Sequence, residues 1–382
     1  MSRKLRVALV FGGASTEHEV SLTSAKSVLA AIDRERYDVV PVAITREGCW
    51  LSGPQTLRML EAKTNSGPAD TGAAGTPSAL LADPKVQGLV AVIEDGSARP
   101  QDRTPIDVVL PIIHGRHGED GSLQGLLEMA GMPYVGCGVL ASAVGMDKDA
   151  CKRLLRDAGL PIVEYVCLRD RSWQRDWKGA ERLVAEGPGF PCFVKPSNGG
   201  SSVGIVKVKD AGELRAALEE AARYDRKVLV ERAVDAREIE VSVLGNETPE
   251  ASVPGEIEPA NEFYDYEAKY ADDRSLLRIP APVTEEQARQ ARRMAVEAFL
   301  ALECEGMARV DFLLDRRSGA LFLSEVNTVP GFTPISMYPK LWEASGLSYA
   351  RLIDRLIELA LERHRRNSRL RTRYEKGSSS AP

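Results

Sequence analysis

The chain has 382 residues, room for about two or three domains of roughly 150 residues, each long enough to bury a core. Its 43% hydrophobic and 27% charged content speaks against disorder and against a membrane span, and a net charge of -5 speaks against nucleic acid as the main partner. Six cysteines (Cys49, Cys137, Cys151, Cys167, Cys192 and Cys304) show no CxxC spacing, which disfavours both zinc and a disulfide framework.

The N-terminus, MSRKLRVALVFGG, is basic and then apolar, but the apolar run stops at Phe11 with no cleavage site behind it. It reads as a first strand of a cytoplasmic protein. Leu22, Ala25, Leu29 and Ile32 then recur at helical spacing and DVVPVAI (38 to 44) follows, which together make a βαβ unit. Residues 64 to 84, rich in Gly, Pro, Ala and Ser, read mostly as a surface loop. IDVVLPIIHG (106 to 115) is a buried strand running into a loop, and SLQGLLEMAG starts a helix behind Glu119 and Asp120, which read as helix N-terminal charges. Residues 1–145 thus form an α/β domain with a parallel sheet.

MDKDACKRLLRDAGLP (146 to 161) is helical and opens a second, α+β domain over 146–235. In it FPCFVK and GIVKVKD are strands joined by KPSNGGSSVG (195 to 204), and KVLVER (227 to 232) is another. A third domain, 236–364, holds the alternating EIEVSVLG, the polar-aromatic NEFYDYEAKY, a helix over 284 to 302, and a hairpin of MARVDFLL and ALFLSEVN around Asp315 to Gly319. Residues 365–382 read as a basic, disordered tail.

Five stretches carry chemistry. Gly199, Gly200 and Gly204 let backbone amides approach an anion, Ser201 and Ser202 add hydroxyl donors, and Lys195 supplies a point charge; the pattern fits a flap over phosphates, against the plainer reading of a flexible hairpin. In the hairpin, Arg309 and Asp311 share one strand face, as do Glu325 and Asn327; a five-residue turn sets Asp311 opposite Leu323 and gathers all four. Two carboxylates and an amide oxygen suit Mg²⁺ carrying nucleotide phosphates, against the alternative of a solvated sheet face with a salt bridge. Glu17 and His18, just past Gly12 and Gly13, stand where α/β proteins bind ligands, with a substrate ammonium for Glu17 weighed against a simple helix start. The loop HGRHGEDG (114 to 121) adds His114 without a zinc ligand set, and Phe263, Tyr264, Tyr266 and Tyr270 make NEFYDYEAKY a lid or an oligomer contact.

Together FGGASTEHEVS (11 to 21), HGRHGEDGSLQG (114 to 125), MDK (146 to 148), KPSNGGSSVG, EFYDYEAKY (262 to 270), ARVDFLL and EVNTVPGFTPISMYP resemble the D-alanine–D-alanine ligase family of ATP-grasp enzymes. The likeness runs in order from about residue 5 to 363. It implies an ATP-grasp fold behind the N-terminal domain, with ATP contacted by Lys148, Lys195, Ser201, Ser202, Glu231, Ala233, Glu238 and Lys269. It implies two Mg²⁺, or Mn²⁺, on Asp311, Glu325 and Asn327. Glu17, aided by His114, would hold the first D-alanine, Arg309 and the Gly331 amide the oxyanion, and Ser336 with the Met337 amide the second carboxylate. Glu17, Ser201 and Tyr270 match the trio that locks the lid. A dimer through the N-terminal domain is implied as well, for a cytoplasmic enzyme of peptidoglycan precursor synthesis. EAKY favours D-alanine over D-lactate as second substrate, while Arg232, where many members carry lysine, departs from the pattern. Against this stand a ligase for another carboxylate and amine, and a nucleotide-binding regulator without turnover.

Overall fold

The computed structural model describes residues 3–61, 75–92, 103–200, 203–258 and 276–371. Three sheets follow one another along the chain. The first contains β1 (Leu5–Gly12), β2 (Tyr37–Ile44), β3 (Trp50–Ser52), β4 (Thr76–Leu80), β5 (Gly88–Ala91), β6 (Thr104–Pro105) and β7 (Val108–Ile112), in the order β6-β5-β4-β3-β2-β1-β7. Only β1, β2 and β7 pair in parallel; β2 through β6 are joined antiparallel, so the sheet is mixed and not the parallel sheet expected. Where β2 gives way to β3, the reason is connection length. A parallel return needs a crossover, supplied between β1 and β2 by the helix His18–Ala31, whereas the short link 45–49 permits only a hairpin. Within the expected loop 64 to 84, Thr76–Leu80 is a strand of this sheet, and residues 62–74 lie outside the described ones.

The second sheet is antiparallel: β8 (Tyr165–Arg169), β9 (Cys192–Pro196), β10 (Val206–Val208) and β11 (Lys227–Arg232), in the order β10-β9-β11-β8. Cys192 and Val194 on β9, with Val228 and Val230 on β11, pack on Val184, Leu214 and Leu218 of two covering helices. Alternation then sends Lys195, Lys227, Leu229 and Glu231 to the opposite face. That face is buried too, and it is polar.

The third sheet has β12 (Ala236–Gly245), β13 (Glu250–Ala251), β14 (Gly255–Glu258), β15 (Leu276–Arg278), β16 (Gly306–Asp315) and β17 (Leu321–Asn327), in the order β15-β14-β12-β16-β17 with β13 beside β12. The helix Glu285–Ala301 covers one face, with Met294 and Phe299 against Val241, Val310 and Phe312. Its start is set by a capping box between Thr284 and Gln287.

The β16–β17 hairpin departs from the expected register. Phe312 pairs with Leu323, but Asp311 pairs with Glu325, so Ser324 is an extra residue in a β-bulge. Pairing continued without the bulge would set Val310 opposite Glu325 and turn Glu325 and Asn327 into the core. The extra residue reverses the parity of the strand. Arg309, Asp311, Glu325 and Asn327 do share a face, though through this bulge and not through a five-residue turn with Asp311 opposite Leu323.

The C-terminal helix, Tyr349–Asn367, packs Leu352, Leu356 and Ile357 with Val7, Leu9 and Phe11 of the first sheet, so the first and last parts of the chain share a core. Arg363 fastens the joint, donating to Tyr134 O at 2.9 Å and to Gly136 O, with its guanidinium 4.2 Å from the Tyr134 ring centroid. The expected tail therefore begins too early: Arg365 and Arg366 are the helix's last turn, where positive charge complements the helix dipole, and Arg366 pairs with Glu305. Residues 372–382 lie outside the described ones. Among the described residues no helix is long and apolar enough to cross a membrane.

Candidate active site

At the carboxyl end of β1 the chain must turn at once into a helix. Gly12 and Gly13 do this at φ +90° and +104°, and a Cβ on Gly12 would lie 2.2 Å from Ile44 O. The buried stripe of the following helix includes Ser21, Ser24, Ala25 and Val28, while Leu22 and Leu29 are only partly buried, a shift from the expected stripe. The two serines occupy buried helix positions because they bind strand ends and loops. Ser21 Oγ accepts the Gly12 N–H at 2.8 Å and donates to Ile112 O. Ser24 Oγ accepts the Phe332 N–H at 3.2 Å and lies 3.2 Å from His114 Nε2.

His114 closes that chain through Nδ1, 3.1 Å from Val329 O. A carbonyl only accepts, so Nδ1 carries the proton and Nε2 accepts from Ser24. Burial pulls His114 below its ordinary pKa despite the pull of Glu17. His114 thereby ties β7 and the N-terminal helix to the loop after β17.

Glu17 precedes the helix without a side-chain capping bond, and it is buried. Its carboxylate lies against two loop backbones: a Cβ on Gly115 would come within 2.6 Å of Oε2, and one on Gly200 within 2.9 Å. Small residues in both loops are what let them close on it. Glu119 is not the helix N-terminal charge expected, because the helix Ser122–Met129 starts beyond it. It is buried and accepts the Gly115 N–H at 2.6 Å. Burial first, then repulsion from Glu17, pushes its carboxyl well above the ordinary range. Asp120 takes the loop-bracing role instead, accepting from His117 N at 2.8 Å and Ser122 N at 3.0 Å.

The polar face of the second sheet supplies a cluster of positive charge. Glu231 Oε1 lies 2.8 Å from Lys195 Nζ, and Oε2 lies 2.7 Å from Nζ of Lys152, which reaches in from the helix Lys148–Asp157. Burial raises the Glu231 carboxyl, but the two ammonium groups outweigh it and hold it down to about 2. Nearby, Asp147 caps the same helix through Ala150 N at 3.1 Å, accepts from Ser197 Oγ at 2.8 Å and pairs with Lys227. Lys148 Nζ donates to Gly199 O at 2.6 Å. The base of the glycine loop is thus bound to the helix that carries Lys148 and Lys152. Ala233 donates its N–H to Pro191 O at 3.0 Å just beyond β11, and Arg232 is exposed.

The third cluster lies on the bulged hairpin. Arg309 holds Asp311 with two parallel hydrogen bonds of 2.7 Å, and its Nε lies 3.0 Å from Glu240 Oε2 on β12. Burial opposes its charge, but Asp311, Glu240 and Glu325 together hold Arg309 well above its ordinary pKa. Glu238 lies two residues from Glu240 on the same strand face, opposite Leu313. Among the described residues no three His, Cys, Asp or Glu side chains form a metal-holding group, so the candidate set is two carboxylates adjacent across the bulge, completed by the Asn327 amide. Those hard oxygen donors fit a Mg²⁺-class ion whose other ligands are phosphate oxygens.

Past β17, a Cβ on Gly331 would lie 2.6 Å from Ser336 Oγ, so the two expected substrate contacts are neighbours. Ser336 Oγ accepts the Thr333 N–H at 3.0 Å and precedes the helix Met337–Ala344, whose first amides, Met337 among them, have no acceptor within the helix. The clusters feel one another: Glu17, Glu325 and Arg309 all act on Glu119. Ser201, Ser202, Lys269 and Tyr270 lie outside the described residues. Sequence reasoning missed Ser21, Ser24, Lys152, Glu240 and the buried role of Glu119. Asp147, beside Lys148 in MDK, was the one neighbour a motif could have exposed.

Comparison with known proteins bears on the chain as a whole. Family models described as D-ala D-ala ligase N-terminus and C-terminus match residues 6–137 and 154–358. The chain belongs to the D-alanine–D-alanine ligase family. It is 50% identical over 367 residues to a D-alanine–D-alanine ligase of Thermoanaerobacter sp. (strain X514), covering 96% of this chain and 99% of the relative. The D-alanine–D-alanine ligase structure from Coxiella burnetii superposes with a TM-score of 0.82 at 37% identity, over 96% of this chain and 97% of that one. The VanG D-Ala:D-Ser ligase from Enterococcus faecalis does so with the same TM-score at 35% identity, over 94% and 100%. The fold is that of an ATP-grasp ligase.

Proposed function

We propose that the chain joins two D-alanines into D-alanyl-D-alanine at the expense of ATP, for peptidoglycan precursor synthesis. One observation carries the reading: the bulge at Ser324 aims Glu325 and Asn327 at the face where Arg309 holds Asp311, while Glu17 rests against Gly200 of the glycine loop. These contacts support a reading in which a metal-binding face, a phosphate flap and an ammonium partner surround one space.

Glu17 holds the ammonium of the first D-alanine, and His114 acts by fixing the loop that carries Gly331. The substrate carboxylate oxygen attacks the γ-phosphorus, the bond to ADP breaks, and an acyl phosphate remains. Two anions must meet for this, and Lys148, Lys195 and Arg309 offset their repulsion. Mg²⁺ or Mn²⁺ on Asp311, Glu325 and Asn327 would add charge neutralisation at the phosphates. The amine of the second D-alanine, having lost a proton, then attacks the acyl carbon, and phosphate leaves. Its carboxylate is held by Ser336 and the Met337 amide, with the oxyanion facing Arg309 and the Gly331 amide. Ser201, Ser202 and Lys269 complete the nucleotide site with Glu231, Ala233 and Glu238, and Ser201 and Tyr270 close the lid with Glu17.

The reading is tested by product analysis with ATP and D-alanine, D-serine and D-lactate in competition. D-Alanyl-D-alanine is the expected main product. D-Alanyl-D-serine as main product would move the chain toward the VanG-type activity, and ATP turnover that ignores every D-amino acid would defeat the ligase reading. We further propose a cytoplasmic homodimer through the N-terminal domain, supported by Met129, Val139 and Leu140, exposed at 66%, 41% and 57% on adjacent helices. Sedimentation should give a dimer; a monomer at micromolar concentration would remove it.

A further inference from the structure

Glu231 has two cationic partners where one would neutralise it, and the two differ. The Lys152 side chain is 1% exposed, that of Lys195 11%. Lys152 Nζ has no hydrogen bond of good geometry among the described residues; its surroundings are Glu231 at 2.7 Å and the Tyr165 ring, with the centroid 5.7 Å away. Lys195 does make a hydrogen bond to Glu231, at 2.8 Å, and stands on β9 next to the glycine loop. Burying a lone carboxylate is strongly unfavourable, and so is stripping a buried one of its only counter-ion. A carboxylate with two cations can release one of them.

We propose that Lys152 is a positioning residue for nucleotide binding: it is the resident counter-ion of Glu231, and so leaves Lys195 free to exchange Glu231 for a nucleotide phosphate. The inference rests on the reading of Lys195 as a phosphate ligand. It explains why a lysine is spent at a place no solvent reaches. Without Lys152, Glu231 would hold Lys195 as its sole partner, and every phosphate would have to compete with a buried carboxylate. Adenosine, which carries no phosphate, makes no such demand.

The test is calorimetric titration of ADP and of adenosine, in chelator without metal, onto the full chain and its Lys152→Met, Lys152→Arg and Lys152→Met/Glu231→Gln variants. Lys152→Met should lose about 10-fold or more in ADP affinity, as expected when a buried charge pair loses a partner, with adenosine changed less than about 3-fold. Arginine should restore part of the loss. The double variant has no buried carboxylate to compensate, so its ADP-to-adenosine affinity ratio should return to at least that of the unchanged protein. An unchanged ratio in Lys152→Met, or equal losses for both ligands, overturns the inference. Should Lys152→Met fail to fold, a depressed ratio in the double variant overturns it as well. If the unchanged protein binds neither ligand, the nucleotide reading itself falls and takes this inference with it.

Discussion

At Arg309 one cation sits between two carboxylates, Asp311 and Glu240; at Glu231 one carboxylate sits between two ammonium groups, Lys152 and Lys195. Both clusters are largely withdrawn from solvent, and among the residues just named each carries one charge in excess, negative at the first and positive at the second. The excess is opposite in sign to the proposed guest, a divalent cation in one case and phosphate in the other. The internal counter-ion is what makes such an excess tolerable in the absence of ligand. The two differ in rigidity. Arg309 grips Asp311 through two bonds of a planar fork and keeps a fixed geometry, whereas Lys195 is held by a single bond to Glu231 and can leave.

The acidic cluster depends on its carboxylates, and Glu325→Gln should break it with the largest effect of any change considered. The substitution removes the charge that lies across the bulge from Asp311 and keeps the size of the side chain. Metal-dependent turnover should fall by roughly 10²- to 10³-fold, as expected when a fixed charge at a transition state is lost. Deleting Ser324 should do far less, because it removes the bulge and leaves Glu325 opposite Asp311 and Asn327 opposite Arg309 in unbroken alternation. Ser324→Ala should change turnover less than about 3-fold. Turnover assays of the three variants decide the matter: full activity in Glu325→Gln would mean that this carboxylate does not hold the metal.

The same bulge shows where reading the sequence stops. Arg309, Asp311, Glu325 and Asn327 were legible as one polar face because strand alternation is a property of residue order. Their register was not, since an extra residue changes backbone pairing and leaves the residue types as they were. Ser21 and Ser24 were invisible for a related reason. Helical periodicity is counted on apolar residues, and these two fill buried positions by accepting amide hydrogens of Gly12 and Phe332. The Lys152–Glu231–Lys195 cluster joins a helix and two strands that are remote in sequence, so no spacing reports it. The βαβ start, the strands around the glycine loop and the helix at 285 to 301 were readable because each is decided by local pattern. The antiparallel pairing of β2 with β3 depended on a loop too short for a crossover, which composition does not weigh.

The basic cluster yields a smaller effect that sharpens the contrast from the other side. Lys152 and Lys195 hold Glu231 at about 2, below its ordinary carboxylate range, so its ionised form is favoured by folding. Stability gained this way is complete above the unfolded carboxyl's titration near pH ~4.5 and is lost as the pH falls through that range toward about 2. In Lys152→Met/Glu231→Gln nothing in the cluster titrates in this window, so denaturant melts between pH 5 and 2.5 should lose stability less steeply than those of the unchanged protein. Asp147 and Glu256, also held low by partners, keep part of the slope in both proteins, which is why the difference is modest. Arg309, held well above its ordinary pKa by its carboxylate partners, stays charged throughout. Identical slopes in the two proteins would mean that Glu231 gains nothing from its ammonium partners, and the basic cluster would then be no counterpart of the acidic one.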